Sequence, residues 1–204
     1  APMQPNPPVR ASSTARFAWH ALVAACVAVA FAGHVLAQAP AVQGGADWSA
    51  GPFYVGVWAS SIKWIDDANP SSSNKAEIDI YGGYKWVFAP GWTADLGVLR
   101  YEYPSSTAFG SALGSPETTE LYAGVSYGPA TLKYSYATTQ VFGVLDSEGS
   151  DYLELAVNHP VTDKLTLNAL LGHQRYKGSQ PYVGGAWDNG KFDYTVWKVG
   201  ATYD

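Results

Sequence analysis

Apolar and polar residues alternate with a period of two along most of the chain after residue 40. In residues 76–86, one face of the predicted strand carries Ala, Ile, Gly, Tyr and Trp, whereas the other carries Glu77, Asp79 and Lys85. Residues 120–127 and 152–158 alternate in the same way, and Gly or Pro interrupts every candidate helix. A period of two is typical of strands with two different faces, so the sequence predicts a β protein.

The alternation and its interruptions predict eight strands and one short additional strand. The eight lie at 53–64, 76–86, 92–98, 120–127, 130–137, 152–158, 165–173 and 195–203, and the short one lies at 42–48. Segment 130–137 alternates weakly. The faces of 53–64 stay unassigned, because Val55 and Val57 disagree with Trp58 and Ile62.

Short and long connections also alternate between the predicted strands. Residues 86–92, 127–130 and 158–165 contain short turns, whereas 65–75, 104–118, 138–151 and 174–192 are long and polar. Outer-membrane barrels have this asymmetry, with short periplasmic turns and longer outer loops. The sequence therefore predicts an all-β fold, an antiparallel up-and-down transmembrane β-barrel.

Composition narrows the class of protein. Charged residues make up only 14% of the chain and aromatic residues another 14%, while acidic residues (17) outnumber Lys and Arg (12). A 47% apolar chain is not disordered, and a net negative charge does not favour nucleic acid. The alternative is a soluble β-sandwich or lipocalin-like barrel, but such folds place charges outside and need more of them.

The first residues resemble a secretory signal. Residues 17–33 carry no charge and follow Arg10 and Arg16, and small residues precede a predicted cleavage site after Ala37. The alternatives are a retained membrane helix, for which 17 residues is short, and a lipobox ending at Cys26, after which the apolar run continues. We expect a signal-peptide helix at 1–37 and a barrel at 38–204. Without the signal the net charge is −7.

Charged residues on the polar faces of the strands are predicted to point into the barrel lumen, because a charge facing lipid is costly. The candidates for lining the lumen are Glu77, Asp79, Lys85, Asp95, Glu120, Lys133, Glu154 and Lys198. The lumen is then either a channel or a plug of paired side chains, and the sequence leaves both open.

Aromatic residues near the predicted strand ends suggest girdles at the two membrane interfaces. The candidates at the short-turn end are Tyr54, Trp86, Trp92, Tyr127 and Tyr203. The candidates at the long-loop end are Trp64, Tyr101, Tyr103, Tyr136, Tyr152 and Tyr194.

Catalytic and metal-binding motifs are sparse. An outer-membrane hydrolase would need His173 close to a Ser, such as Ser126 or Ser135, and to a carboxylate such as Glu154. Acidic residues at 66–67 and at 146, 148 and 151 are more often solvated than bound to cations. A single Cys excludes a disulfide framework and a Cys-based zinc site. We expect no enzyme activity, no metal and no cofactor.

Eight segments together resemble a known family. They are PAVQGGADW (40–48), GPFYVGVWASSIKW (51–64), AEIDIYGGYKW (76–86), ADLGVLRYEYP (94–104), TELYAGVSYG (119–128), LKYSYA (132–137), DYLELAVNHPV (151–161) and DYTVWKVGATYD (193–204). In order and spacing they are similar to the TorF-like porin family, proteobacterial outer-membrane proteins of the Gcw_chp type. The resemblance covers residues 40–204.

The resemblance also indicates where this chain departs from the family. Members carry an Arg-rich strand before the QGG segment and a further hairpin after the VGATYD-like strand, which implies about twelve strands. The nine strands predicted here are an odd number, unlike single-chain bacterial barrels. We therefore expect either that 42–48 pairs only in part or that the natural protein has more strands.

The resemblance and the strand pattern together lead to one functional expectation. We expect a Gram-negative outer-membrane porin that contacts lipid and passes small polar solutes or ions. Five predicted inward carboxylates against three lysines favour a mild cation preference. The alternative is a closed structural or adhesive barrel that acts through its four long loops.

Overall fold

A computed structural model describes residues 42–68, 75–104, 114–182 and 185–203. The predicted signal peptide lies outside the described residues. Two short helical segments occur in the described ranges, the helix α1 at Trp64–Ala68 and a 3-10 turn at Asn189–Phe192. Neither of these segments has the length and apolar character that a membrane-spanning helix requires.

Nine strands form one antiparallel sheet in which neighbours in the chain are neighbours in the sheet. Two further strands, β9 and β10, form a separate hairpin between β8 and β11. The strands are β1 Gln43–Ala50, β2 Phe53–Ser61, β3 Ala76–Ala89, β4 Trp92–Glu102, β5 Thr118–Tyr127, β6 Ala130–Ala137, β7 Asp151–Pro160, β8 Leu165–Arg175, β9 Ser179–Tyr182, β10 Gly185–Asp188 and β11 Tyr194–Tyr203. The prediction of an all-β, up-and-down antiparallel fold is confirmed.

The structure corrects the sequence prediction in three places. Strand β1 pairs with β2 along its whole length, from Gln43 opposite Ser60 to Ala50 opposite Phe53, so the partial pairing considered for 42–48 is not found. Sequence analysis also missed the helix α1, which begins at Trp64 at the end of the predicted strand 53–64, and the β9–β10 hairpin, which lies within the predicted link 174–192. These elements lack a hydrophobic period long enough to be recognised.

Connections of different length lie at opposite ends of the sheet. Tight turns at 51–52, 90–91, 128–129 and 161–164 join strand pairs at one end, here called the turn end. The connections after β2, β4, β6 and β8 are long, and their described residues lie at the other end, the loop end. Gly128 has φ +53°, a conformation that allows the tight turn between β5 and β6.

The two faces of the sheet have inverted polarity relative to a soluble protein. The face that carries Leu121, Leu155 and Trp197, here the outer face, is exposed: these side chains are 53%, 45% and 74% accessible. The opposite inner face buries Glu77 and Asp79, which are 1% and 0% accessible. Buried residues of a soluble fold are usually apolar, so an exposed apolar face opposite a face with buried carboxylates is unusual for a protein surrounded by water.

A cluster of apolar side chains fills the inner side of the sheet at the loop end. It draws residues from β4, α1, the segments after β6 and β8, and their neighbours: Ile65, Leu99, Tyr101, Tyr103, Ala137, Val141, Phe142, Val144 and Tyr176. Tyr194 of β11 packs against the same cluster. Because β4 and β11 are five strand positions apart, the sheet must curve around these side chains.

Strands β1 and β11 are the two edges of the nine-stranded sheet. Within the described ranges they pair with β2 and β8 respectively, and no pairing between β1 and β11 is present.

Candidate functional site

The eight charged residues predicted to line a lumen lie on the polar side of their strands. Glu77, Asp79 and Glu120 are buried near the loop end. The other five are half-buried: Lys85, Asp95, Lys133, Glu154 and Lys198. Their role in conducting solutes stays a prediction, but their distribution between a buried group and an accessible group is a new structural fact.

The buried group lies directly beneath the apolar cluster. The Tyr103 hydroxyl donates a hydrogen bond of 2.6 Å to Oε2 of Glu77. Asp79 lies opposite Tyr101 in the β3–β4 register, and neither of its carboxylate oxygens has a hydrogen-bond partner among the described residues. Because buried polar atoms are normally satisfied, the Asp79 carboxyl is the most unusual polar group on the inner face. No set of three His, Cys, Asp or Glu in the described ranges is arranged to hold a metal ion.

The accessible group contains a row of charges with alternating sign. The register places Lys85, Asp95, Lys133 and Glu154 in one row on four strands, with Gly124 of β5 between Asp95 and Lys133. Lys85 Nζ lies 3.0 Å from Asp95 Oδ2. Glu154 interacts with both Lys133 and, more weakly, Lys198. Each charge therefore has a neighbour of opposite sign.

Two tyrosines connect this row of charges across the sheet. The Tyr54 hydroxyl donates to Asp95 Oδ1 over 2.7 Å and is also hydrogen-bonded to the Tyr122 hydroxyl. Lys85 Nζ lies 5.2 Å from the centre of the Tyr54 ring, and Lys133 Nζ lies 4.8 Å from that of Tyr122. The network thus joins β2, β3, β4, β5 and β6 on the inner face.

Glycines on neighbouring strands leave room for the inner-face aromatic rings. A Cβ atom at Gly97 would overlap the Tyr122 ring, and one at Gly83 would overlap that of Tyr54. The same relationship holds for three further pairs: Tyr81 with Gly56, Tyr152 with Gly172, and Trp58 with Gly45. An aromatic ring that covers a glycine on the neighbouring strand compensates for the missing glycine side chain. These pairs explain part of the high Gly content.

Six of the eleven predicted girdle residues are not on the outer face. Tyr101 and Tyr103 are 2% and 1% accessible and belong to the apolar cluster. The others found inside are Tyr54, Trp64, Tyr152 and Tyr194. The prediction used only their height along the strands, whereas alternation places odd-numbered β4 residues such as Tyr101 inward. As girdle residues these six are corrected.

The remaining predicted girdle residues share the outer face: Trp86, Trp92, Tyr127, Tyr136 and Tyr203. At the turn end the Trp92 and Tyr127 rings are 4.6 Å apart, and the Phe88 ring lies 6.1 Å from Trp92. Sequence analysis missed Phe53 and Tyr84, whose rings are 4.9 Å apart at the same end. The turn end therefore carries a band of exposed aromatic rings.

The residues considered for a hydrolase do not come together. His173 is exposed on the outer face, where its Nδ1 lies 2.8 Å from the Thr195 hydroxyl. Ser126, Ser135 and Glu154 lie on the inner face. A nucleophile and its base must lie within hydrogen-bond reach, so these residues do not form a triad.

Comparison with models of protein families matches most of the chain. Residues 10–204 match the family model described as bacterial protein of unknown function (Gcw_chp). No curated protein and no solved structure matches the chain. Since the match covers almost the whole sequence, the chain belongs to the Gcw_chp family.

Proposed function

We propose that the chain forms the wall of a β-barrel in the outer membrane of a Gram-negative bacterium and passes small polar solutes or ions. The observation that carries this proposal is the inverted polarity of the sheet. Exposed leucines, valines and aromatic rings cover the outer face, while charged side chains occupy the inner face. In water the outer face would be an apolar patch of unusual size, whereas in a bilayer it is the expected surface.

The extent of the apolar outer face is consistent with a bilayer. On β4 it runs from Trp92 to Arg100, whose guanidinium pairs with Glu102 at 2.7 Å. Eight residue steps correspond to about 27 Å along the strand. At a tilt of ~40° this spans about 21 Å, near the ~25 Å apolar band of outer-membrane barrels. A second pair, Arg175 with Asp151, lies at the same loop end.

The inner face is suited to the passage of water and small ions and not to contact with lipid. Lys85, Asp95, Lys133 and Glu154 are half-buried and self-compensating, so water and small ions can approach without a large field of one sign. The TorF-like porin resemblance implies the same function. A mild cation preference belongs to this proposal, but it depends on whether ions reach Glu77, Asp79 and Glu120, because the accessible group contains two carboxylates and three lysines.

A second candidate function is a closed structural or adhesive barrel that acts through its loops. The apolar cluster at the loop end favours it, because Tyr101, Phe142 and Ile65 fill space that an open pore would leave to water. The two candidates share membrane location and differ in conductance.

The proposal is tested by expressing the full chain, fractionating membranes and recording from planar bilayers. We expect recovery in outer-membrane fractions, heat-modifiable migration on gels and discrete conductance steps. Folded protein in the membrane without any conductance would favour the closed barrel, and folded protein in the soluble fraction would contradict both candidates.

A further inference from the structure

The segment between β6 and β7, residues 138–150, is folded into the sheet instead of projecting from it. Val141, Phe142 and Val144 are 1%, 4% and 2% accessible and form the centre of the apolar cluster. Loops at a sheet end are normally solvated, because buried backbone must find new hydrogen-bond partners. Specific side-chain contacts and hydrogen bonds must therefore hold this segment in its inward position.

Aromatic contacts hold Phe142 in place. Its ring lies 5.1 Å from that of Tyr101 and 6.4 Å from that of Trp64, both edge-on. Trp64 in turn lies 5.5 Å from Tyr103. Phe142 has φ +48°, which is costly for a bulky residue and persists only where the surroundings fix it.

Hydrogen bonds satisfy the backbone of the same segment. The Phe142 N–H donates to the Thr118 hydroxyl over 2.8 Å, and the Val141 N–H donates to the Ser147 hydroxyl over 2.7 Å. Ser147 donates to the Val144 carbonyl over 2.6 Å. The Asn189 amide donates to the Leu145 carbonyl over 2.9 Å, which ties the segment to the loop before β11. These hydrogen bonds give residues 138–150 a fixed conformation.

The buried carboxylates of the inner face lie next to residues 138–150, and this position suggests what the segment does. Tyr101 and Tyr103, the rings that contact Phe142 and Trp64, also border Glu77 and Asp79. From the turn end, the row containing Lys85 and Asp95 is reached before these buried carboxylates. The apolar cluster therefore separates the polar inner face from the space above the loop end.

We propose that residues 138–150 form an internal plug in which the Phe142 side chain seals the loop end of the polar inner face, and that displacing it opens the route past Glu77, Asp79 and Glu120. This inference rests on the proposed channel function. It differs from a permanently closed barrel because the Phe142 side chain, which completes the apolar cluster, belongs to a connecting segment and not to the strand wall.

The test uses a reporter cysteine beneath the plug. In full-length protein with Cys26→Ser, Asp79→Cys reacts with a charged methanethiosulfonate reagent added on the loop side. We expect slow labelling with Phe142 present and at least tenfold faster labelling with Phe142→Ala. Phe192→Ala is the matched control, because Phe192 packs against the edge of the same cluster through Tyr176, 5.9 Å between rings, whereas Phe142 packs against Tyr101 and Trp64. It should leave labelling unchanged.

A second variant keeps the test informative if Phe142→Ala does not fold. Thr118→Val removes the hydroxyl that accepts from the Phe142 N–H while keeping side-chain volume, and it should also accelerate labelling. Heat-modifiable migration confirms that each variant is folded. Fast labelling of Asp79→Cys with Phe142 intact, or equal labelling in all folded variants, would overturn the plug.

Conductance separates the plug from the channel proposal. Phe142→Ala should conduct more than the unaltered chain and Phe192→Ala should not. If Phe142→Ala accelerates labelling but no folded variant conducts, the seal is real and the channel function is wrong. If the unaltered chain and Phe142→Ala conduct equally, the channel stands and the plug is wrong.

Discussion

The Tyr103 hydroxyl donates a 2.6 Å hydrogen bond to Oε2 of Glu77, and both side chains are about 1% accessible. This bond joins the apolar cluster to the buried carboxylates. Tyr103→Phe removes the donor and leaves a buried carboxylate oxygen without it, which we expect to cost about 1–3 kcal/mol of unfolding free energy. Urea unfolding in lipid vesicles measures the change.

Two controls make that prediction specific. Tyr127→Phe alters an exposed hydroxyl at the turn end and should change stability little. In a double-mutant cycle, Glu77→Gln should reduce the cost of Tyr103→Phe, because the charged acceptor is gone. Equal costs with and without Glu77 would show that the bond does not stabilise the fold.

Alkaline pH is expected to weaken the loop end. Burial raises the pKa of Tyr103 and the pKa of Tyr176 well above their ordinary value. In the unfolded chain these hydroxyls lose their protons near pH 10, earlier than in the folded protein. Stability is therefore independent of these groups below about pH 10 and falls as pH rises beyond it. Tyr176→Phe should make the fall between pH 10 and pH 11 shallower in unfolding titrations, and an unchanged slope would contradict this account.

Two positions on opposite faces of β4 should respond differently to the same added charge. Leu96 is half-exposed on the outer face at the middle of the apolar band, whereas Thr93 lies on the inner face. Leu96→Lys is expected to cost about 2–4 kcal/mol in a bilayer. Thr93→Lys should cost much less, because its ammonium joins the polar inner face. Equal effects of both variants in vesicle unfolding would contradict the assignment of the faces.

The close contact between Gly97 and Tyr122 predicts a strong response to one methyl group. Gly97→Ala places its Cβ against the Tyr122 ring and the Gly82 carbonyl, and overpacking of this kind costs about 1–3 kcal/mol. Gly44→Ala is the matched control, since nothing lies near its Cβ and the change should stay within about 0.5 kcal/mol. Heat-modifiable migration on gels, followed against temperature, compares the stability of the two variants. Similar losses of stability would mean that ring–glycine packing does not stabilise the fold.

Most strands and their faces were predictable because the alternation of apolar and polar residues is local; β2, whose faces the sequence left unassigned, is the exception. Leu153 and Leu155 alternate with Tyr152 and Glu154, and the same alternation fixes the register. The tight turns were predictable from glycines such as Gly128. Such signals depend on one or two neighbouring residues, so a sequence alone contains them.

The inner cluster was not predictable in the same way. Tyr101 was assigned to a girdle from its height on the strand, although its parity with Leu99 points inward; both are apolar on a face that is otherwise polar. Phe142 lies in a segment without periodicity, and its burial depends on Trp64 and Tyr101, which are distant in sequence. Contacts of this kind are set by tertiary structure and leave no local pattern.

The central claim is that the outer face of the sheet contacts lipid, and spin labels along β7 test it most directly. Single cysteines at residues 152–158 are labelled in the membrane-inserted protein, and their collision rates with oxygen and with a water-soluble nickel chelate are compared. We predict a period of two, with oxygen dominant at Leu153, Leu155 and Val157 and low at Tyr152, Glu154 and Asn158. Nickel-dominated collisions at Leu153 and Leu155, or no alternation at all, would contradict the account.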